Sequence, residues 1–136
     1  MYDLALSFAG ENREFVEKIK SKLQQQGISL FYDNDFQVAL WGSDLTIELP
    51  KHYLNARYVC IFIDKFYLEK MWTFFERQVI IENYLKLKGA DYILPIFLNG
   101  FNETLPGLSS LVVHLDIDTN KDEDFLTKML FEKIKN

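Results

Sequence analysis

The 136-residue sequence has one cysteine, two histidines and no apolar run of transmembrane length. A single cysteine, Cys60, cannot form a disulfide within the chain, and its apolar neighbours predict a buried, inert thiol. Cys60, His52 and His114 lack the spacing of metal ligands, so we expect no metal site. A membrane span needs about 20 consecutive apolar residues. We therefore expect no membrane association and a cytoplasmic location.

Positive charge is also in deficit, because the chain has 15 Lys and Arg but 20 Asp and Glu, which gives a net charge of −5. This balance argues against nucleic acid as a direct partner. The content of 49% hydrophobic and 26% charged residues is ordinary for a globular domain. The length suits one domain with its own core. Twelve Phe and seven Tyr are many, and we expect some of them to serve contacts rather than packing.

Several phosphate-binding motifs are missing as well. No Gly-x4-Gly-Lys-Ser/Thr occurs, which excludes a Walker loop. Gly10 alone after the first strand is weak evidence for a dinucleotide fingerprint. A phospho-acceptor receiver domain would have the same topology and could use Asp64. It would also need two acidic residues after the first strand, where this chain has Ser7-Phe8-Ala9-Gly10.

Five short apolar segments alternate with amphipathic ones, a pattern typical of a parallel sheet covered by helices. The predicted strands are Tyr2–Phe8, Ile28–Asp33, Arg57–Asp64, Tyr92–Leu98 and Leu111–Asp116. The predicted helices run from Glu11 or Asn12 to Gly27, from Ser43 or Asp44 to about Asn55 with an interruption at Pro50, from Met71 to about Gly89, and from Asp122 to Lys135. The continuous apolar run of the third strand predicts that both faces of the sheet are covered. We expect an α/β, flavodoxin-like three-layer fold with a five-stranded parallel sheet and helices on both faces.

Two finer expectations concern the second half of the chain. Pro95 lies within the fourth strand and predicts an edge position or a bulge, because proline cannot donate to a ladder. The closing helix is expected to place Phe125, Met129 and Ile134 on one side.

The stretch Met71–Ile80 carries the most informative side chains. Trp72 and Glu76 are one helical turn apart and share a face. Burying an unpaired carboxylate costs several kcal/mol or raises its pKa, so Glu76 needs a partner or a function. From this stretch alone, three explanations remain for Glu76: a structural ion pair with Arg77 or Arg57, a position on the solvated edge, or a catalytic role.

The predicted topology brings separate segments to one edge. Ligands of open α/β sheets lie beyond the carboxyl ends of the strands. That edge should collect Ser7–Gly10, residues 33–42, Asp64, Trp72 and Glu76. This convergence favours a functional role for the glutamate.

A lone carboxylate beside aromatic side chains suits one reaction. Glycoside hydrolysis generally needs two carboxylates, one of which protonates a poor leaving group. Nicotinamide leaves NAD+ as a neutral molecule and needs no acid. Glu76 could hold ribose hydroxyls and stabilise the developing oxocarbenium charge, while Trp72 or Trp41 stacks on a ring.

The sequence resembles a Toll/interleukin-1 receptor (TIR) domain of the bacterial defence type. The matching residues are the first box Tyr2–Phe8, Phe31-Tyr32-Asp33 at the start of the BB loop, Tyr67 followed by Trp72-Thr73-x-x-Glu76-Arg77, and Ile93–Ile96. The resemblance covers nearly the whole chain. It implies that residues 1–136 form one TIR domain, the N-terminal domain of a longer protein with a fused sensor.

The resemblance implies that Glu76 is the catalytic residue of NAD+ cleavage. It also places the residues after the first strand and in the BB loop around the dinucleotide. With the neighbours at the sheet edge, the expected substrate-binding residues are Ser7, Phe8, Ala9, Gly10, Asp33, Trp41 and Trp72. NAD+ would be the substrate, and no cofactor is expected.

The implied function is an NAD+ glycohydrolase that releases nicotinamide and ADP-ribose or a cyclic isomer. Self-assembly with other TIR domains would activate it in antiphage defence or cell-death signalling. The alternative is a non-enzymatic TIR–TIR interaction module. The Arg-Asp-x-x-Pro-Gly loop of animal adaptor members is replaced by Asp33-Asn-Asp-Phe, which disfavours an adaptor-style role.

Overall fold

The computed structural model describes residues 2–31, 55–73, 93–103 and 113–136, and only the backbone of residues 70–73. Its strands are β1 (Tyr2–Ser7), β2 (Leu30–Phe31), β3 (Ala56–Ile63), β4 (Ile93–Leu98) and β5 (Leu115–Ile117). Its helices are α1 (Arg13–Gln25), preceded by a 3-10 turn at Gly10–Asn12, then α2 (Lys65–Thr73) and α3 (Glu123–Lys135). None of these helices has the length and apolar character that crossing a membrane requires.

The five strands form one sheet in the order β2-β1-β3-β4-β5, and every pairing is parallel. Ser7 pairs with Ile61 at the carboxyl end of β1. On the other side of β3, Ile63 pairs with Phe97. This order is that of flavodoxin-like folds, in which β1 and β3 flank the point where the winding direction reverses. The α/β fold predicted from the sequence is confirmed.

β3 separates two apolar clusters. Cys60 and Phe62 pack with α1 and α3, whereas Val59, Ile61 and Ile63 pack on the opposite face. Alternate strand residues point to opposite faces, so an uninterrupted apolar run requires cover on both. α2 contributes to the second face through Tyr67, which is 1% exposed. Helices on both faces are therefore confirmed.

α1 ends as its sequence predicts. Gly27 has φ of +84°, the left-handed conformation that glycine adopts without a Cβ penalty. The Gly27 and Ile28 N–H groups donate to the carbonyls of Gln24 and Leu23, the two bonds of a Schellman motif. At the other end Asn12 precedes the helix but its side chain makes no capping hydrogen bond. Its amide is used elsewhere, as described below.

α2 begins directly after β3, six residues before the predicted start at Met71. Asp64 explains the earlier start, because its carboxylate Oδ1 accepts the Tyr67 N–H at 2.9 Å. Asp is among the preferred N-cap residues for this reason. Residues 74–92, including the rest of the predicted helix, lie outside the described residues, as do residues 32–54 with the predicted interruption at Pro50.

Pro95 predicts an edge position or a bulge, and both alternatives are wrong: β4 lies between β3 and β5, and its register with β3 is unbroken from Ile93 to Phe97. Pro95 pairs with Ile61 of β3 on one side. On the other side the described pairing with β5 begins only at Ile96. Proline is thus placed one residue before the second ladder starts, where its missing N–H matters less.

β5 covers Leu115–Ile117 instead of the predicted Leu111–Asp116, of which residues 111 and 112 lie outside the description. His114 precedes the strand and packs edge-to-face on Phe97, with ring centroids 4.6 Å apart. Its Nε2 lies 3.3 Å from the Asp116 carboxylate. The histidine therefore belongs to the sheet margin rather than to the strand interior.

The buried face of α3 also differs from the prediction. Leu126, Leu130 and Ile134 face the core at four-residue spacing, whereas Phe125 is 50% exposed. Ile134 is buried as predicted, but it continues the four-residue spacing of Leu126 and Leu130, whereas it is five residues from Met129. Lys22 of α1 forms ion pairs with Glu123 and Asp124, which join the two helices.

Candidate functional site

The carboxyl ends of β1 and β3 are adjacent and define the candidate site. Ser7 ends β1, and the chain then turns through Phe8–Asn12 into α1. Asp64 follows the last residue of β3 and leads into α2. In flavodoxin-like folds, ligands bind at this reversal point, beyond the strand ends.

Asp64 joins these two chain segments. Its Oδ1 accepts the Tyr67 N–H at 2.9 Å, and its backbone carbonyl accepts the Leu68 N–H at 3.1 Å. Its Oδ2 accepts a hydrogen bond from Asn12 Nδ2 at 2.7 Å. Both carboxylate oxygens are therefore engaged, one in capping α2 and one in holding the 3-10 turn after β1.

A second hydrogen bond links the same segments inside the protein. The Ser7 Oγ and Tyr67 OH atoms are 2.7 Å apart. Ser7 is 5% exposed and Tyr67 is 1% exposed, so water has little access to either hydroxyl. Leaving a buried hydroxyl without a hydrogen-bond partner costs about 1–3 kcal/mol, and each of these hydroxyls provides the other with a partner.

The predicted substrate-binding residues after β1 differ in accessibility. Ser7, Phe8 and Ala9 are buried, and Arg13 lies over the Phe8 ring with its guanidinium carbon 5.6 Å from the centroid. Gly10 is exposed. A ligand at this edge would therefore meet the backbone around Gly10 rather than the side chains that precede it.

The structure brings Ser7–Gly10 and Asp64 to one edge, as the topology predicts. Trp72 lies in the last described turn of α2, where only the backbone is described. Asp33, Trp41 and Glu76 lie outside the described residues, so their assignments stay predictions.

Sequence reasoning missed the linking roles of Asn12 and Tyr67. Asp64 directly after an apolar strand is a preferred N-cap residue type and indicates the start of α2 in the sequence. Asn12 and Asp64 are 52 positions apart, and Ser7 and Tyr67 are 60 apart. No local pattern predicts hydrogen bonds over such separations.

A small cavity lies elsewhere, between β4, the start of β5 and α3. Its volume is about 230 Å³, and its lining residues include Leu94, Ile96, His114, Leu130 and Lys133. Pockets for drug-sized ligands usually measure about 300–1,000 Å³, so this cavity is too small for a dinucleotide. β3 separates it from β1, and it is not part of the candidate site.

Comparisons with known proteins agree with this architecture. The family model described as "TIR domain" matches residues 4–130. The chain is 36% identical over 136 residues to the 3' cyclic ADP-D-ribose synthase AaTIR of Aquimarina amphilecti, spanning 98% of this chain and 40% of that protein. It is 30% identical over 97 residues to the 2' cyclic ADP-D-ribose synthase AbTIR of Acinetobacter baumannii, spanning 71% and 35%. It is 32% identical over 76 residues to the NAD(+) hydrolase TirS of Staphylococcus aureus, spanning 55% and 26%. The chain thus spans well under half the length of these relatives.

Solved structures share the fold over the whole chain. The TIR domain of the Toll-related receptor TRR-2 from Hydra magnipapillata superposes with a TM-score of 0.71 at 19% identity, covering both chains completely. A prokaryotic SEFIR domain gives a TM-score of 0.70 at 20% identity and is covered over 94% of its chain. Because the family model spans most of the sequence and the strand order agrees, the chain belongs to the TIR domain family.

Proposed function

We propose that this domain cleaves the nicotinamide–ribose bond of NAD+, with Glu76 as the catalytic residue. The observation that carries the proposal is the 36% identity to a cyclic ADP-D-ribose synthase across 98% of the chain. Glu76 is the carboxylate of the Trp72-Thr73-x-x-Glu76 motif, whose first two residues end the described part of α2. The candidate site at the ends of β1 and β3 supports it, because it is the usual ligand edge of this fold.

The proposed step is heterolysis of one bond. The C1′–N bond breaks, its electron pair leaves with nicotinamide, and the departing pyridinium becomes neutral. Positive charge develops on the ribose, and the Glu76 carboxylate stabilises it electrostatically. Water then adds at C1′ and loses a proton to give ADP-ribose, or a group within the ADP-ribosyl unit attacks C1′ to give a cyclic isomer. NAD+ is the substrate, and the step needs no further cofactor.

The remaining predicted residues are proposed to bind NAD+. Gly10 is the exposed member of the segment after β1, and a glycine lets a substrate approach the backbone closely. Ser7, Phe8 and Ala9 then act as support beneath it, since their side chains are buried. Asp33, Trp41 and Trp72 are proposed as further contacts from the BB loop and α2.

Assembly and domain context are part of the proposal. The chain covers 40% of the length of the Aquimarina relative, which leaves that protein ample length for other domains. We propose that residues 1–136 act as one TIR domain beside a sensor domain in the cytoplasm, and that TIR–TIR association raises the activity. A non-enzymatic interaction module is the competing function. Incubation of the domain with NAD+ at high protein concentration, followed by chromatographic detection of nicotinamide, separates the two.

A further inference from the structure

Two hydrogen bonds connect residues 7–12, which comprise the end of β1 and the 3-10 turn after it, to the start of α2. One joins the Ser7 and Tyr67 hydroxyls at 2.7 Å, and the other joins Asn12 Nδ2 to Asp64 Oδ2 at 2.7 Å. We call these two contacts the β1–α2 hydrogen-bond pair. Together they hold the backbone on both sides of exposed Gly10 against one end of one helix.

The chemistry of the pair exceeds what packing requires. The Tyr67 ring already lies in the apolar cluster with Ile61 and Ile63, where phenylalanine would fill the same space without a hydroxyl to satisfy. Asp64 caps α2 with Oδ1 alone, so its Oδ2 contact with Asn12 is not needed for the cap. Each hydrogen bond therefore constrains the distance between two segments that would also pack against each other without it.

The β1–α2 hydrogen-bond pair lies between the two parts of the proposed site, so it constrains how those parts are aligned. One segment carries Gly10 at the proposed substrate edge. The other segment is the first turn of α2. The described part of α2 ends at Thr73, which precedes Glu76 by three positions in the sequence. Catalysis by a lone carboxylate depends on its placement against the reacting bond, because an error of about 1 Å can cost a hundredfold in rate.

We propose that Tyr67 and Asn12 are positioning residues, which set the substrate edge around Gly10 relative to the helix that leads to Glu76. Tyr67 acts through Ser7, and Asn12 acts through Asp64. The inference rests on the proposed function, since it specifies how the same site is aligned. Neither residue is required to touch NAD+.

The test compares Tyr67→Phe, Asn12→Ala, Ser7→Ala, Ser7→Thr and the double variant Ser7→Ala/Tyr67→Phe with the wild type. Tyr58→Phe is the matched control, because Tyr58 is half-buried on the other face and its ring contact with Arg57 survives the loss of the hydroxyl. Steady-state kcat and KM for NAD+ are measured by nicotinamide release, beside the melting temperature. We expect Tyr67→Phe and Asn12→Ala each to lower kcat about tenfold with KM changed less than threefold, and Tyr58→Phe to match the wild type.

The double variant tests whether the two hydroxyls act through each other. If the hydroxyl pair acts as one unit, Ser7→Ala/Tyr67→Phe has about the same kcat as Tyr67→Phe alone. Ser7→Thr, which keeps a hydroxyl, should be closer to the wild type than Ser7→Ala. An unchanged kcat in folded Tyr67→Phe and Asn12→Ala overturns the proposal, as does a loss of kcat that follows only the melting temperature.

A second measurement keeps the inference separate from the proposed function. If the wild type releases no nicotinamide, the proposed function fails by itself. Amide hydrogen exchange then tests the linkage, because Asn12→Ala and Tyr67→Phe should each raise exchange in both residues 8–12 and residues 65–69. Exchange that rises only in the segment carrying the substitution overturns the linkage.

Discussion

Arg57 Nη1 donates a hydrogen bond to the backbone carbonyl of Ile134 at 2.6 Å, which ties the start of β3 to the last turn of α3. Its Nη2 reaches the Asn136 carbonyl at 3.5 Å, and its guanidinium carbon lies 5.1 Å from the centroid of the Tyr58 ring. A cation at a helix C-terminus is favourable because the last carbonyls lack partners within the helix. Arg57 thus has a structural role at the end of α3.

The first prediction follows from this contact. Arg57→Met keeps the apolar stem but removes the donors, so it should lower the free energy of unfolding by about 1 kcal/mol. Lys18→Met is the control, because Lys18 is exposed and forms only a 3.9 Å ion pair with Glu14. Thermal denaturation measures both variants. Nicotinamide release per folded molecule should not change in Arg57→Met, and a large loss would instead favour an ion pair between Arg57 and Glu76.

The second prediction concerns Cys60, which is fully buried in β3. Burial raises the pKa of its thiol well above the ordinary value, because the thiolate would be desolvated. Above about pH 8.5 the unfolded thiol loses its proton while the folded one keeps it. Stability is therefore complete below that pH and falls as the pH rises toward the folded pKa, by up to about 1.4 kcal/mol per pH unit.

Cys60→Ala should remove this part of the decline. The free energy of unfolding of both proteins is measured by urea denaturation between pH 8 and pH 10. Lys22, bonded to Asp124 and Glu123, and half-buried Tyr2 also have raised pKa values, but their ordinary values are 10.5 and 10.0. They begin to lower the stability only near pH 10, and they do so equally in the wild type and in Cys60→Ala. Equal slopes for the wild type and Cys60→Ala would contradict the assignment.

Much of the sheet could be predicted because short apolar runs and turn residues in the sequence determine where its strands lie. The apolar run in β3 requires cover on both faces, and this is how Cys60 and Ile61 are placed. Gly27 marks the end of α1 because helices commonly end at a residue in the left-handed conformation, which glycine adopts most easily. Such features depend on neighbours in sequence, and sequence reasoning captures them.

The errors occur where distant segments decide. Asn12 is a residue type preferred at the N-cap, but its side-chain amide donates to Asp64 instead, because the topology brings that carboxylate close to it. Phe125 has the spacing for the buried face of α3, yet packing against α1 and the sheet selects Leu126. Competition between two plausible apolar stripes is settled by tertiary contacts, which periodicity does not contain.

The third prediction concerns Trp72, which precedes Glu76 by four residues in the sequence. If its ring lines the pocket, Trp72→Phe should raise KM for NAD+ or lower kcat while the melting temperature changes little. Loss of the indole reduces the stacking surface without leaving a large void. A large fall in melting temperature with normal kinetics of the folded fraction would place the ring in the core instead.

The fourth prediction is that activity depends on assembly. The segment from Asn34 to Gly42 contains Phe36, Leu40 and Trp41, a high apolar content that we expect to be covered by a neighbouring copy. Specific activity should then rise with protein concentration or crowding, and Trp41→Ala should suppress the rise. Light scattering on the same samples reports the oligomeric state. A flat specific activity over a hundredfold concentration range, with the protein monomeric throughout, would exclude the mechanism.

NAD+ cleavage by this domain is proposed to depend on a single carboxylate, Glu76, and nicotinamide release by Glu76→Gln measures that dependence. Glutamine keeps the size and shape of the side chain but removes the charge that opposes the oxocarbenium ion. The wild type should release nicotinamide, and Glu76→Gln should be at least about a hundredfold slower, on the order of 3 kcal/mol, with an unchanged melting temperature. Release by folded Glu76→Gln at the wild-type rate would contradict the claim.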